Sequence, residues 1–165
     1  MDKTILIQPE SGLHFDWKAI ASNPSGHHEP QIDLVAYKAL YTNKIAQARA
    51  CGQEPVLVSL PIMDEDRYFA YITRGMSIQE RKNVLYWLGG KTERLRNIHA
   101  MYNLSLFRLA AVQCVHLVDI TSPMLASTHF DELLDQDGVT LSPAGEAMVN
   151  RELASLASRL SVLAS

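Results

Sequence analysis

Three short apolar runs constrain the fold of this chain more than any other feature. They are residues 4–8 (Thr-Ile-Leu-Ile-Gln), 55–60 (Pro-Val-Leu-Val-Ser-Leu) and 115–120 (Val-His-Leu-Val-Asp-Ile). Each is β-branched and bounded by polar or turn residues, as strands buried on both faces are. Helical patterns lie between them. Leu34, Tyr37, Tyr41, Ile45 and Ala48 recur at spacings of three and four, and Gly52 follows as a stop, so a helix is predicted over 33–51. Leu95, Ile98, Tyr102 and Leu109 mark a second helix, opened near Thr92. Val149, Leu153, Leu156, Leu160 and Leu163 mark a third, which Ser142 can cap and Pro143 can open. Strands alternating with helices predict a three-layer α/β/α fold with a short parallel sheet and right-handed crossovers.

Two stretches break the pattern. Residues 14–30 contain Ser22-Asn23-Pro24-Ser25-Gly26 and are expected to form a long loop, with a weak strand signal at 16–21. Residues 62–90 form an insertion between a strand and its following helix. It holds a capping box, Ser77-Ile78-Gln79-Glu80, and a short helix ending at Gly89-Gly90. It also carries Tyr68, Phe69, Tyr71, Tyr86 and Trp87. Local packing is the first expectation for these aromatics, and a ligand or partner surface the second.

Composition narrows the function classes. The chain has 165 residues and a net charge of -3, which fits a single domain over 1–165. No basic cluster points to nucleic acid. No apolar run approaches the roughly 20 residues that span a membrane. The N-terminus lacks a charged segment followed by an apolar one, so a cytoplasmic protein is expected. Cys51 and Cys114 lie in apolar periodic segments and are expected to be reduced, buried thiols rather than a disulfide.

The run Asp137-Gly138-Val139-Thr140-Leu141-Ser142-Pro143-Ala144-Gly145 resembles the last conserved block of the SGNH (GDSL) hydrolases, Asp-Gly-x-His-Leu-Ser-x-x-Gly. That block carries the family's catalytic Asp and His. Asp137 fills the Asp position and Thr140 the His position. The resemblance covers roughly the last two thirds of the chain. Residues 55–61 are similar to the family's fourth strand, 96–109 with Met101-Tyr102-Asn103 to the helix before its fifth strand, and 115–119 to that fifth strand. The resemblance implies a flavodoxin-like, SGNH-hydrolase-like fold.

The family's nucleophile lies in Gly-Asp-Ser after its first strand, and its third strand ends in Gly-x-Asn-Asp. Two alignments of Pro9-Glu10-Ser11-Gly12 compete. In one, Ser11 replaces the family nucleophile. In the other, which spacing favours, the strand at 4–8 is the family's third and the chain starts midway through the family fold. The first strand would then be an unpaired edge that another copy or a partner subunit completes.

The resemblance implies an ester hydrolase, which needs an activated Ser, an oriented base and oxyanion donors. Thr140 cannot serve as base, because a hydroxyl has no proton-accepting nitrogen near neutral pH. Ser11, Asp137 and a displaced histidine, His129 or His14, are the candidate catalytic residues. A turn or cap serine, an Asp-Gly turn and surface histidines are the bland alternatives. His27-His28-Glu29 is too small a ligand set for a structural or catalytic metal, and no Gly-rich cradle follows a strand, so no cofactor is expected. Two functions follow. One is a degenerate hydrolase-like protein with weak or no ester hydrolysis and a binding or assembly role. The other is an active acyl or acetyl ester hydrolase using Ser11. A homo-oligomer is expected, with Tyr68, Phe69, Tyr71, Trp87 and the Leu156, Leu160, Leu163 edge as contacts.

Overall fold

The computed structural model describes residues 4–163, with side chains to residue 159. Strands β1 (Thr4–Ile7), β2 (Glu54–Val58) and β3 (His116–Val118) form one parallel sheet in the order β1-β2-β3. The register sets Leu6 beside Val56, Val56 beside His116, and Val58 beside Val118. This is the sheet the three apolar runs predict.

Helices cover both faces, and the alternation along β2 shows why. Leu57 points to one side, where α2 (Leu34–Ala50) contributes Tyr37, Tyr41 and Ile45 and the long helix at Glu93–Gln113 contributes Tyr102, Leu106 and Leu109. Val56 and Val58 point to the other, where the last helix, Pro143–Leu163, packs Val149, Leu153 and Leu156. Each fully buried Val, Leu or Ile among them contributes about 1.5–3 kcal/mol, and the half-buried Leu153 and Leu156 less. The side chains of Leu160 and Leu163 lie outside the described residues. Local chemistry fixes the helix starts. Asp33 accepts from the Ala36 N–H at 2.7 Å to cap α2, and Ser142 accepts from the Gly145 N–H at 3.1 Å to cap the last helix.

Some expectations are corrected. Residues 16–21 are neither strand nor loop: α1 (Trp17–Ser22) forms there, capped by Asp16, which accepts from the Ala19 N–H at 3.0 Å. Its Ile20 and Ala21 are buried against the insertion, which makes a short helix worth forming despite its length. The insertion holds α3 (Glu65–Ile72), capped by Asp64, as well as the expected α4 (Ile78–Trp87) with its Ser77–Glu80 capping box. These pieces share a second cluster of Leu13, Ile20, Tyr68, Val84, Leu88 and Leu95. The long helix, α5 (Glu93–Gln113), follows, then α6 (Thr121–Ala126), a 3-10 turn at Phe130–Leu133, and α7 (Pro143–Leu163). Phe69 and Trp87 pack onto the second cluster, while Tyr71 stays 41% exposed.

Cys51 and Cys114 are free thiols but exposed, not buried. Each is the residue just past the last turn of its helix, where the apolar stripe no longer fixes which way a side chain faces. No helix among the described residues is long and apolar enough to cross a membrane.

Candidate active site

The Asp137 block closes on itself. An isolated antiparallel bridge joins Leu134 to Leu141, and Gly138 turns the chain between them with a φ of 74°. Asp137 accepts from the backbone N–H of Val139 at 3.0 Å and of Thr140 at 2.8 Å, and from the Thr140 hydroxyl at 2.5 Å. Partial burial pushes the Asp137 carboxyl up, but these bonds, the Thr140 hydroxyl's first, outweigh it and hold the group below its ordinary range. The carboxylate is therefore occupied by its own turn. The open depression beside it is lined by Arg67, Arg74 and Asp135. Arg67 is committed to Asp64 at 3.3 Å, and Arg74 stacks over the Tyr71 ring at 3.9 Å.

Ser11 lies in the loop that leaves the carboxyl end of β1, and the sheet's helices pin that loop. The Tyr37 hydroxyl donates to the Glu10 carbonyl at 2.8 Å, and the Tyr41 hydroxyl accepts from the Glu10 N–H at 3.0 Å. Burial pushes both phenols above their ordinary value, so both remain neutral hydrogen-bonding groups. Next to Ser11, a Cβ on Gly12 would lie 2.0 Å from the Tyr102 ring, whose hydroxyl donates to the Ile32 carbonyl at 2.6 Å. Only glycine lets the loop sit so close to α5.

That approach brings Ser11 to His99. The Ser11 Oγ lies 2.9 Å from His99 Nδ1, and His99 Nε2 lies 2.7 Å from the Pro61 carbonyl oxygen. The carbonyl can only accept, so Nε2 carries the ring proton. Nδ1 then holds a lone pair, and the Ser11 hydroxyl donates to it. Ser11 Oγ in turn accepts from the Leu13 N–H at 3.2 Å. His99 is 7% exposed. Burial lowers its pKa, and the bond to Pro61 opposes this in part, so the ring is neutral at pH 7.

None of the other candidates hydrogen-bonds to this pair. His129 has a 73% exposed side chain and faces Glu132 at 3.6 Å. His14 is exposed, and its backbone bonds Gly12 and Gln31. Thr140 is exposed and bonded to Asp137. His27 pairs with Glu29 at 3.0 Å on the surface, and no group of three or more His, Cys, Asp or Glu among the described residues could hold a metal ion.

His99 is the residue that sequence reasoning passes over. Its signal is present: it falls four after Leu95 and three before Tyr102, on the apolar stripe of α5. A buried histidine inside such a stripe needs a partner for each ring nitrogen, and here they are the half-buried Ser11 and Pro61.

No protein-family model matches the chain, and no curated protein sequence matches it significantly. Solved structures do. The lipase/acylhydrolase from Enterococcus faecalis superposes with a TM-score of 0.51 at 16% identity, over 92% of this chain and 58% of that one. A protein from Slackia heliotrinireducens assigned to the SGNH hydrolases superposes with a TM-score of 0.55 at 22% identity, over 93% of this chain and 64% of that one. The chain thus spans less than two thirds of either structure. Its three-stranded parallel sheet with helices on both faces is an SGNH-hydrolase-like α/β fold.

Proposed function

We propose that this is an SGNH-hydrolase-like protein with an incomplete Ser–His–Asp set, weak or no ester hydrolysis in steady state, and a binding or assembly role. The observation that carries the reading is Thr140. It stands where the resemblance expects the base, and its hydroxyl spends its proton on Asp137 at 2.5 Å. Losing the base while other groups stay in place costs several orders of magnitude in rate. Steady-state turnover of p-nitrophenyl acetate by the intact chain is the test, and slow release of p-nitrophenol is expected. Fast, sustained turnover would overturn the reading.

The assembly role is supported by β1. It is an edge strand of the described sheet, and its Leu6 is 41% exposed beside the fully buried Val56. Unpaired edges of this kind recruit another chain unless they are blocked. A second copy related by a two-fold axis is the simplest occupant. Light scattering should give a mass of about twice 18.4 kDa. Leu6→Lys, which places a charge on that edge, should return it to the single-chain value. A concentration-independent monomer would remove this role.

A second reading, an active ester hydrolase using Ser11 and a displaced histidine, is favoured by one observation, the 2.9 Å contact between Ser11 and His99.

A further inference from the structure

We propose that Ser11 is a nucleophile whose general base is His99, oriented by the Pro61 carbonyl, and that it takes acyl and phosphonyl electrophiles to form a covalent adduct. The proposal rests on the second reading above and deepens it by naming the base, the group that orients it and the bond that forms.

The three groups stand in the order that nucleophilic catalysis requires: a hydroxyl, a base within hydrogen-bond reach, and a third group that fixes the tautomer of the base. Ser11 Oγ to His99 Nδ1 is 2.9 Å, and His99 Nε2 to Pro61 O is 2.7 Å. The third group is a backbone carbonyl rather than a carboxylate, so it orients the ring without stabilising an imidazolium by a full charge. That predicts a slow site, not an inert one. The nucleophile belongs to a loop held by Tyr37 and Tyr41 on one side and Tyr102 on the other, so it is fixed before any ligand arrives. Ser11 itself is only half-buried, whereas His99 behind it is buried. The serine is thus the more accessible residue of the two.

A donor for developing negative charge stands next to the nucleophile. The Gly12 N–H has no hydrogen-bond partner among the described residues, although Gly12 is buried. The backbone N–H of the residue after a nucleophilic serine is a common oxyanion donor. A ligand oxygen at that N–H would be satisfied by it.

The chemistry balances without any further reactant. With an ester, Ser11 Oγ bonds the acyl carbon and its proton passes to His99 Nδ1. The bond from the acyl carbon to the leaving oxygen then breaks, and His99 returns the proton to the departing alcohol. Water attacks the acyl-serine by the same proton path to restore the hydroxyl. With an alkyl fluorophosphonate, the Oγ–P bond forms, the P–F bond breaks, and the proton leaves with fluoride by way of His99. The phosphonyl adduct lacks an easy second step and persists, so it can be counted.

An alkyl fluorophosphonate is the better probe, because exposed Cys51 and Cys114 would also consume activated esters. The full chain is incubated with the reagent, digested, and its peptides weighed. One phosphonyl group per chain on the peptide carrying Ser11 is expected, absent in Ser11→Ala. His99→Gln, checked for cooperative melting, should slow adduct formation by about 100-fold or more, the usual share of a positioned base. Absence of an adduct on Ser11 in the unaltered chain would defeat both the second reading and this proposal. An adduct on Ser11 that forms at an unchanged rate in a folded His99→Gln protein would keep the nucleophile and overturn His99 as its base. Should His99→Gln fail to fold, the adduct map of the unaltered chain still decides whether Ser11 reacts, and His99→Asn supplies the test of the base.

Discussion

Gly138→Ala is expected to lose about 3 kcal/mol of stability, from left-handed backbone strain of roughly 1–2 kcal/mol and overpacking of roughly 1–3 kcal/mol. Gly138 has a φ of 74°, and a Cβ there would lie 2.4 Å from the Asp64 carbonyl oxygen and 2.8 Å from the Tyr68 nitrogen. Both are backbone atoms, so no rotamer change relieves the collision. The same glycine's carbonyl accepts from the Asp64 N–H at 2.9 Å, and Asp64 caps α3. Movement to admit the methyl group would cost that bond and disturb the cap. Gly75 is the control: its φ is 75°, but nothing lies within 4 Å of a Cβ built there. Gly75→Ala should therefore show the strain alone. At about 2–4 °C per kcal/mol for a chain of this size, Tm should fall by roughly 6–12 °C for Gly138→Ala and by only a few degrees for Gly75→Ala. Equal shifts would mean that the Asp137 block is not clamped against α3.

The contrast between these two glycines shows what a sequence does and does not carry. Asp137-Gly138 announces a turn, because the dipeptide favours left-handed backbone. Nothing local says that the turn docks on α3, whose start lies more than sixty residues earlier in the chain. The strands were legible for a similar reason: a short β-branched run encodes its own burial. So was α2, whose Asp33 cap and three-and-four spacing are local signals. Helices α1, α3 and α6 have only six, eight and six residues, too short to stand alone, and owe their existence to what they pack against.

The Ser11–His99 pair was illegible for the same physical reason. Ser11 and His99 are separated by 88 residues. Their meeting depends on Gly12 admitting the Tyr102 ring and on Tyr37 and Tyr41 holding Glu10, and each of those is a tertiary contact. Sequence proximity pointed instead to His14, three residues from Ser11, and to His129, eight from Asp137. Both are exposed.

Asn103→Ala is expected to be the second large loss, about 3 kcal/mol, since a buried donor left unpaired costs roughly 1–3 kcal/mol beyond the bonds removed. Asn103 sits on α5 with 9% exposure. Its Oδ1 accepts from the Leu60 N–H at 2.8 Å, and its Nδ2 donates to Thr121 Oγ1 at 2.9 Å. The Thr121 hydroxyl donates to the Leu60 carbonyl at 2.6 Å, and Ser59 Oγ accepts from the Ile120 N–H at 2.9 Å. This network ties the carboxyl ends of β2 and β3 together where the chain leaves the sheet. Removing Asn103 orphans Leu60, the residue before Pro61. Since Pro61 holds His99, the loss should reach the site as well. Slower phosphonylation of Ser11 is therefore expected alongside the lower Tm. Thr121→Val removes the other side of the network, and groups in one network share their energy. The double variant should cost less than the sum of the singles, by about 1 kcal/mol. Strict additivity would show that Asn103 and Thr121 act separately. An unchanged labelling rate in Asn103→Ala would show that the Pro61 carbonyl keeps its place without help from α5.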